Sequence, residues 1–509
     1  MRHTPIGRLC DVMFLMIKLR IQPGATAGFR KPRVSHFVLA LLLLTGLFTA
    51  FAGNACAQTM PFVPIDLGSL GGTWSSAGKI TASGQVLGWS YTAGDAEAHL
   101  FSWTPTGGMV DLGALNANDV NDIGQMVGSI ISTSGETHAF SWTPPGGIVD
   151  LGTLGGDWSD AIAVNAAGQV LGLSNSANGE VHSFWWTAAG GMVDLGSLGG
   201  RYTNALAFND NGQVVGISYT AEFKQHAFSW TPTGGMIDLG TLGGNDSSAQ
   251  GINNSGQIVG ASDSRAFLWT PTSGMVDLGT LTPGGEWSTA YRINDNGQVL
   301  GMSAFPGSSR HGFLWTPTGG MVDLGTVGGL WTLPLAVNAS GQVVGRSETS
   351  VSNEVNAFSW TSAGGMVNLG SLGGTGSTAY AVNSSGQVVG TRYTPGSVQN
   401  RAVLWQPIEK LGCDNSFAGC NLKGANLAGA YLKDGNLSGA NLKAANLTRA
   451  NLSGANLKNV NMMEANLTNA NLVGANLKGA NVKEVTWSNT VCPDGTNSDA
   501  NGSTCIGHF

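Results

Sequence analysis

The sequence predicts an all-β protein: an eight-bladed β-propeller followed by a smaller repeat domain. Three observations carry this. A unit of roughly 45 residues recurs eight times between residues 66 and 409. Each unit holds four short apolar runs bounded by Gly, Pro or Asn. A unit of five residues then takes over from about 413 to 487. Four short strands per repeat, repeated many times, is a propeller pattern, with an open solenoid as the alternative.

The strands are justified in order within the unit that starts at Asp194. Asp194-Leu195-Gly196 and Gly199-Gly200 lead into Ala205-Leu206-Ala207-Phe208. The turn Asn209-Asp210-Asn211-Gly212 opens Gln213-Val214-Val215-Gly216-Ile217-Ser218. After a variable loop comes His226-Ala227-Phe228-Ser229-Trp230, and Thr231-Pro232-Thr233-Gly234-Gly235 turns into Met236-Ile237-Asp238-Leu239-Gly240. The runs alternate or are β-branched, and turn residues separate them, as strands require.

The Asn-x-x-Gly turn has a physical basis. An Asn side chain bonds the backbone two residues on, and Gly enters the left-handed region without a Cβ clash. The pair recurs at Asn121/Gly124, Asn165/Gly168, Asn253/Gly256, Asn294/Gly297, Asn338/Gly341 and Asn383/Gly386; the first unit keeps Gly84 but has Thr81. A strand Trp recurs at Trp103, Trp142, Trp186, Trp230, Trp269, Trp315, Trp360 and Trp405, a regularity expected of core packing. One strand is spare. Phe62–Gly68 matches a fourth strand with no unit before it, so it is expected to complete the last unit; Ile408–Gly412 is the weaker rival for that slot.

The strings His138-Ala139-Phe140 and His226-Ala227-Phe228, followed by Ser-Trp-Thr-Pro, resemble the HAF family of extracellular repeats over about 340 residues. The resemblance implies an exported repeat protein and brings no catalytic residues. Residues 413–487 read Cys420-Asn421-Leu422-Lys423-Gly424, Ala425-Asn426-Leu427 and onward, with an apolar residue every fifth position from Phe417 to Val482. This resembles the pentapeptide-repeat family, which implies a short right-handed quadrilateral β-helix. The small residue two before each Leu fits a narrow interior, and stacked Asn side chains can bond along the coils.

The N-terminus reads as a signal peptide over residues 1–57. A basic stretch precedes the apolar run Phe37–Ala52, and Ala55-Cys56-Ala57 places small residues before a cleavage point at Gln58. The protein is therefore expected to be exported, to the extracellular space, cell surface or periplasm, with no membrane span after cleavage. The leader holds 7 of 24 basic and 1 of 31 acidic residues, which leaves 17 against 30, a net of −13. That balance argues against nucleic acid as a partner of the propeller. The five-residue repeats carry seven basic and four acidic residues, the wrong sign for a DNA mimic.

Cys413, Cys420, Cys492 and Cys505 flank the short repeats and are expected to form disulfides in an exported chain, leaving 488–509 as a closed cap. Cys413–Cys420 with Cys492–Cys505 is the simplest of three connectivities. No metal or cofactor is expected. Asn497-x-Asp499-x-Asn501-Gly502 starts like a calcium loop but has His508 where a bidentate Glu belongs.

Repeated residues read as scaffold. Glu97/His99, Glu136/His138 and Glu180/His182 recur at Glu-x-His spacing, which favours ion pairs over catalysis, and the Asp of Asp-Leu-Gly reads as a turn-capping acceptor. The candidate ligand-binding residues are Trp74, Trp158, Tyr202, Trp287 and Trp331, which follow Gly-Gly in five units only. Aromatics beside the variable loops suit a sugar ring or a protein partner; packing between blades is the alternative. The expected function is a non-enzymatic binding or surface-structural protein, recognising carbohydrate or a surface protein. A propeller glycan hydrolase or lyase and a purely structural envelope component are the alternatives.

Overall fold

The computed structural model describes residues 62–508 except 114–115, 144–145, 308, 351–353, 373, 394–399 and 409–416. The expected signal peptide, its cleavage point and Cys413 lie outside the described residues. Apart from short 3-10 turns at Ala93–Asp95 and Ser498–Asn501, the regular elements are strands. No helix among the described residues is long and apolar enough to cross a membrane.

The long repeats form antiparallel four-stranded meanders. In unit 4, Gly199–Phe208, Val214–Thr220, Gln225–Thr231 and Gly235–Asp238 pair in chain order. The last meander borrows its fourth strand: Phe62–Gly68 pairs with Asn400–Pro407, from Phe62↔Pro407 to Gly68↔Ala402. The spare strand thus takes the slot expected for it, and Ile408 is buried at the strand's end. No single sheet closes on itself. Neighbouring units touch through isolated parallel bridges such as Arg310↔Trp331 and Trp158↔Thr137.

Each first strand carries a β-bulge opposite a glycine. The register shifts at Ala77/Lys79, Ala205/Ala207 and Ala290/Arg292, among others, and the partner there is Gly88, Gly216 or Gly301. A Cβ on Gly301 would lie 2.2 Å from the Thr289 carbonyl oxygen and 2.4 Å from the Phe313 ring. The glycine that follows Val or Leu in each second strand is therefore fixed by close approach of the neighbouring chain, joined at Gly88, Gly172, Gly301 and Gly345 by a Phe ring.

The core lies between units. Val215, Ala227 and Leu239 of unit 4 pack with Ala249, Ile258 and Phe267 of unit 5, and the other junctions repeat this pattern. The most enclosed aromatics are Trp405 and Phe101, Phe140, Phe184, Phe228, Phe267, Phe313 and Phe358, none with exposed surface. The strand Trp are less uniform than their spacing suggests. Trp103, Trp230, Trp360 and Trp405 are buried, whereas Trp142, Trp186, Trp269 and Trp315 are half-buried against the same clusters.

Two hydrogen bonds run from unit to unit. The Asn Nδ2–H of each turn donates to the next unit's turn carbonyl: Asn121 to Asn165 at 3.0 Å, Asn209 to Asn253 at 3.0 Å, Asn338 to Asn383 at 3.0 Å. Asn383 continues the series onto Thr81 of unit 1 at 3.1 Å. The second bond runs from the Ala N–H of the third strand to the next unit's Ser Oγ, as in Ala227 to Ser247 at 2.8 Å. It too recurs from unit 8 to unit 1, Ala402 to Ser75, at 3.0 Å. The last and first units meet as consecutive units do. The expected Asx bonds are also present, with Asn211 N–H donating to Asn209 Oδ1 at 3.1 Å, and Gly212 has φ 77°.

The short repeats stack with a period of twenty residues: Asn421↔Asn441, Asn426↔Asn446 and so on to Asn471↔Val491. Four pentapeptides therefore make one coil. The Leu side chains fill the interior, most with no exposure at all. Asn ladders form as expected, Asn441 to Asn421 at 3.1 Å and Asn461 to Asn441 at 3.2 Å. The coil register continues to Val491, four residues past the expected boundary at 487. The N-terminal strand joins the two domains. Asp66 N–H donates to Gly429 O at 3.0 Å and Tyr431 N–H to Pro64 O at 2.9 Å. The β-helix thus covers what would be an open edge.

Candidate functional site

The five candidate aromatics all stand at the entry to a unit's first strand. Trp74, Trp158, Trp287 and Trp331 are half-buried, and Tyr202 is 39% exposed. Four of them lean on a neighbour. Trp74 packs on Tyr91 at 5.6 Å and Tyr202 on Tyr219 at 6.0 Å between ring centroids. The Arg346 guanidinium lies 5.8 Å from the Trp331 centroid, and that of Arg310 lies 5.8 Å from Trp287. They are neither wedges sealed between units nor free side chains. Each offers part of a ring at a junction.

Clefts of ligand size open at the junctions beside Trp74 and Trp331. One, of 590 Å³, lies between units 8 and 1, where Trp74, Trp89 and Tyr91 face Asn400. The other, of 530 Å³, lies between units 6 and 7, where Trp331, Leu330 and Glu348 face Arg310 and Ser309. Both fall in the 300–1,000 Å³ range of small-molecule sites. Their walls come from the start of one unit's third strand and the first two strands of the next. The partners of the Trp were not legible from spacing, because Arg310 and Trp331 meet through a bridge between units rather than through a local turn.

The His residues have a partner that Glu-x-His spacing does not reveal. His99 Nδ1 lies 2.9 Å from Asp111, His138 Nδ1 2.9 Å from Asp150, His182 Nδ1 2.8 Å from Asp194, and His226 Nδ1 2.7 Å from Asp238. Glu97, Glu136 and Glu180 sit farther away, at 3.3 to 3.6 Å from the other ring nitrogen. Hydrogen bonds donated to Asp111 and then to Glu97 raise the His99 imidazole above its ordinary value. The Asp residues also accept the Gly N–H two residues on, as in Gly240 to Asp238 at 2.8 Å, the capping role expected of Asp-Leu-Gly. In unit 7 both partners change together, to Asn356 and Asn368. The signal was a constant spacing of twelve across a hairpin.

Cys492 and Cys505 form a disulfide, and Cys420 is disulfide-bonded. The calcium-like residues are spent on the cap: Asn497 Oδ1 accepts Asp499 N–H at 2.9 Å, and Asp499 Oδ1 accepts Asn489 N–H at 2.8 Å. No cluster of three metal-ligating side chains occurs among the described residues. Asp494 accepts from Thr496 Oγ1–H at 2.6 Å and Thr496 N–H at 2.9 Å, and lies 2.7 Å from His508. These bonds hold its carboxyl down to about 2, from an ordinary 3.8. A depressed carboxylate stabilises the cap above its ordinary value, and that support is lost as pH falls through the folded value. A carbon-detected NMR titration should show the Asp494 midpoint near 2, moving towards 3.8 in Thr496→Ala; an unshifted midpoint in the parent chain contradicts the geometry.

Residues 416–449 and 445–483 match the model of the pentapeptide-repeat family, in eight copies. The C-terminal domain is built of pentapeptide repeats. A solved pentapeptide-repeat protein from the Arabidopsis thaliana thylakoid lumen is 34% identical over 14% of this chain and 47% of its own, with a TM-score of 0.12. No curated protein matches the chain. For the long repeats, the similar solved structures include the β-propeller domain of the Trilobed protease from Pyrococcus furiosus. It is 11% identical, over 58% of this chain and 97% of that one, with a TM-score of 0.39. Dipeptidyl peptidase 4 from Porphyromonas gingivalis is 10% identical, over 64% and 56%, with a TM-score of 0.42. The chain thus spans about half the length of the pentapeptide protein and of this peptidase.

The expectation that the chain is not an enzyme is corrected by these neighbours. A puromycin hydrolase and an acylaminoacyl peptidase from Pyrococcus horikoshii are also among the structures it resembles. At these identities and scores the likeness says nothing further about chemistry.

Proposed function

We propose that the chain is an exported carbohydrate-binding protein, in which eight meanders close as an eight-bladed propeller and carry a right-handed quadrilateral β-helix. The HAF resemblance and the leader support export; the bonds repeated from unit 8 to unit 1 support closure. The observation that carries the binding reading is the pair of junction clefts floored by Trp74 and Trp331. An indole face part-sheltered in a cleft of ligand size suits the apolar face of a sugar ring, and the polar groups around it can orient hydroxyls.

A glycan array probed with the mature chain tests this. Saturable binding to a glycan class is expected, reduced tenfold or more in Trp74→Ala or Trp331→Ala. Trp158→Ala should change it less, since Trp158 lines neither of these two clefts. A purely structural envelope component would show no saturable binding. Hydrolysis is a second reading, favoured by two acids that no other unit repeats. Asp119 pairs with Lys79 at 2.7 Å, while Asp160 accepts from Asn118 at 2.9 Å and is pushed up by burial. Mass spectrometry of glycans recovered from the array reads it directly: cleavage lost in Asp160→Asn supports hydrolysis, and intact glycans refute it.

A further inference from the structure

The two junction clefts are the same site with different chemistry on their walls. Arg310 and Asn400 both stand five residues before their strand Trp, at matching register positions. Trp331 corresponds to Trp74, Glu348 to Tyr91 and Arg346 to Trp89. The described residues that line the cleft between units 8 and 1 are neutral apart from Asp95, whose carboxylate accepts Thr73 N–H and Oγ1–H at 2.7 Å each and feels the charge of Arg401 nearby. The cleft between units 6 and 7 replaces the amide of Asn400 with a guanidinium.

Arg310 is exposed, and among the described residues no carboxylate pairs with it. Its guanidinium lies 5.8 Å from the Trp287 ring centroid, and its backbone is bridged to that of Trp331. A planar guanidinium held against an indole loses less freedom on binding and keeps its donor fork open for a carboxylate. Glu348 in the same cleft is already oriented, with Oε2 accepting Leu330 N–H at 2.8 Å. It is suited to a hydroxyl donor, and it does not cancel Arg310 by pairing with it.

We propose that the cleft between units 6 and 7 binds a hexuronate-containing glycan, with the sugar ring on Trp331, its carboxylate on Arg310 and a hydroxyl on Glu348. The equivalent cleft between units 8 and 1 takes an uncharged sugar. The net negative charge of the mature chain does not forbid this, because at physiological ionic strength distant charges are screened within about 8 Å. The inference rests on the carbohydrate-binding reading and sharpens it to a ligand class.

Isothermal titration of the mature chain with trigalacturonate, trimannuronate and their methyl esters tests it. At least one acid form should bind tenfold or more tighter than its ester. Arg310→Gln should erase that preference, with Arg310→Lys intermediate because it keeps charge but not the fork. Trp331→Ala should remove acid binding, and Trp74→Ala should leave it intact. Thermal unfolding of each variant verifies the fold. Equal binding of acid and ester, or acid affinity unchanged in Arg310→Gln, overturns the proposal while leaving sugar binding in place. If neither these probes nor any neutral glycan binds, the carbohydrate reading itself falls.

Discussion

Deleting Phe62–Gly68 is expected to abolish cooperative folding of the long-repeat domain at 37 °C. Val63, Ile65 and Leu67 have 0%, 7% and 2% exposure, and all three belong to a cluster spanning unit 1, unit 8 and the β-helix. Burial of three such side chains stabilises the fold by roughly 6 kcal/mol, which is a large share of the stability of an ordinary domain. The deletion also removes the Asp66–Arg392 ion pair at 2.7 Å and frees the edge of Asn400–Pro407 for pairing with another chain. Loss of the unfolding transition, with soluble dimers or aggregates by light scattering, is the expected result. A truncated chain that melts at the parent temperature would show that the N-terminal strand is decoration.

Gly301→Ala is expected to cost about 3 kcal/mol, near the upper end for overpacking in a well-packed core. The added methyl meets the Thr289 carbonyl and the Phe313 ring at once, and neither is a flexible side-chain tip. The bulge at Ala290/Arg292 brings that carbonyl close, so relief requires the first strand to shift against its neighbours. Gly78→Ala is the control, because nothing lies within 4 Å of the place its Cβ would take and its φ is not in the left-handed region. Urea melts of the two variants should differ by most of the roughly 3 kcal/mol. Equal stability would contradict the assignment of the strand glycines to close approach.

These effects show which parts of the molecule were legible in the sequence. Local chemistry was. Gly212 needs a positive φ beside Asn209, and the strand Phe62–Gly68 was visibly missing a unit. Contacts between units were not. The Asn209 side chain spends its amide on Asn253, one unit away, and a turn motif read in isolation satisfies the carbonyl oxygen but leaves that donor without a partner. The Phe of His-Ala-Phe proved more enclosed than the Trp two residues later, because the Phe points into the layer between units. His226 and Asp238 pair across a hairpin, so a search for acids two residues away found only the weaker partners of three other His.

The candidate site was legible as residues and not as geometry. Five aromatics after Gly-Gly marked the junctions, and their irregular recurrence set them apart from scaffold. At the clefts beside Trp74 and Trp331 the preceding unit contributes Asn400 or Arg310 to the wall, and nothing in the linear spacing pairs Arg310 with Trp331. In this repeat protein the chemistry is written across interfaces, where residues of neighbouring units meet.

Ligands are expected to enter at the junctions beside Trp74 and Trp331, while the repeated residues serve as scaffold. Hydroxyl-radical footprinting of residues 58–509, with and without a glycan that binds them, tests this most directly. Protection at Trp74 or Trp331, with the enclosed Trp230 and Trp405 unchanged, is the predicted result. Protection confined to the coils of the pentapeptide domain, or absent from both junctions at saturating ligand, would contradict it.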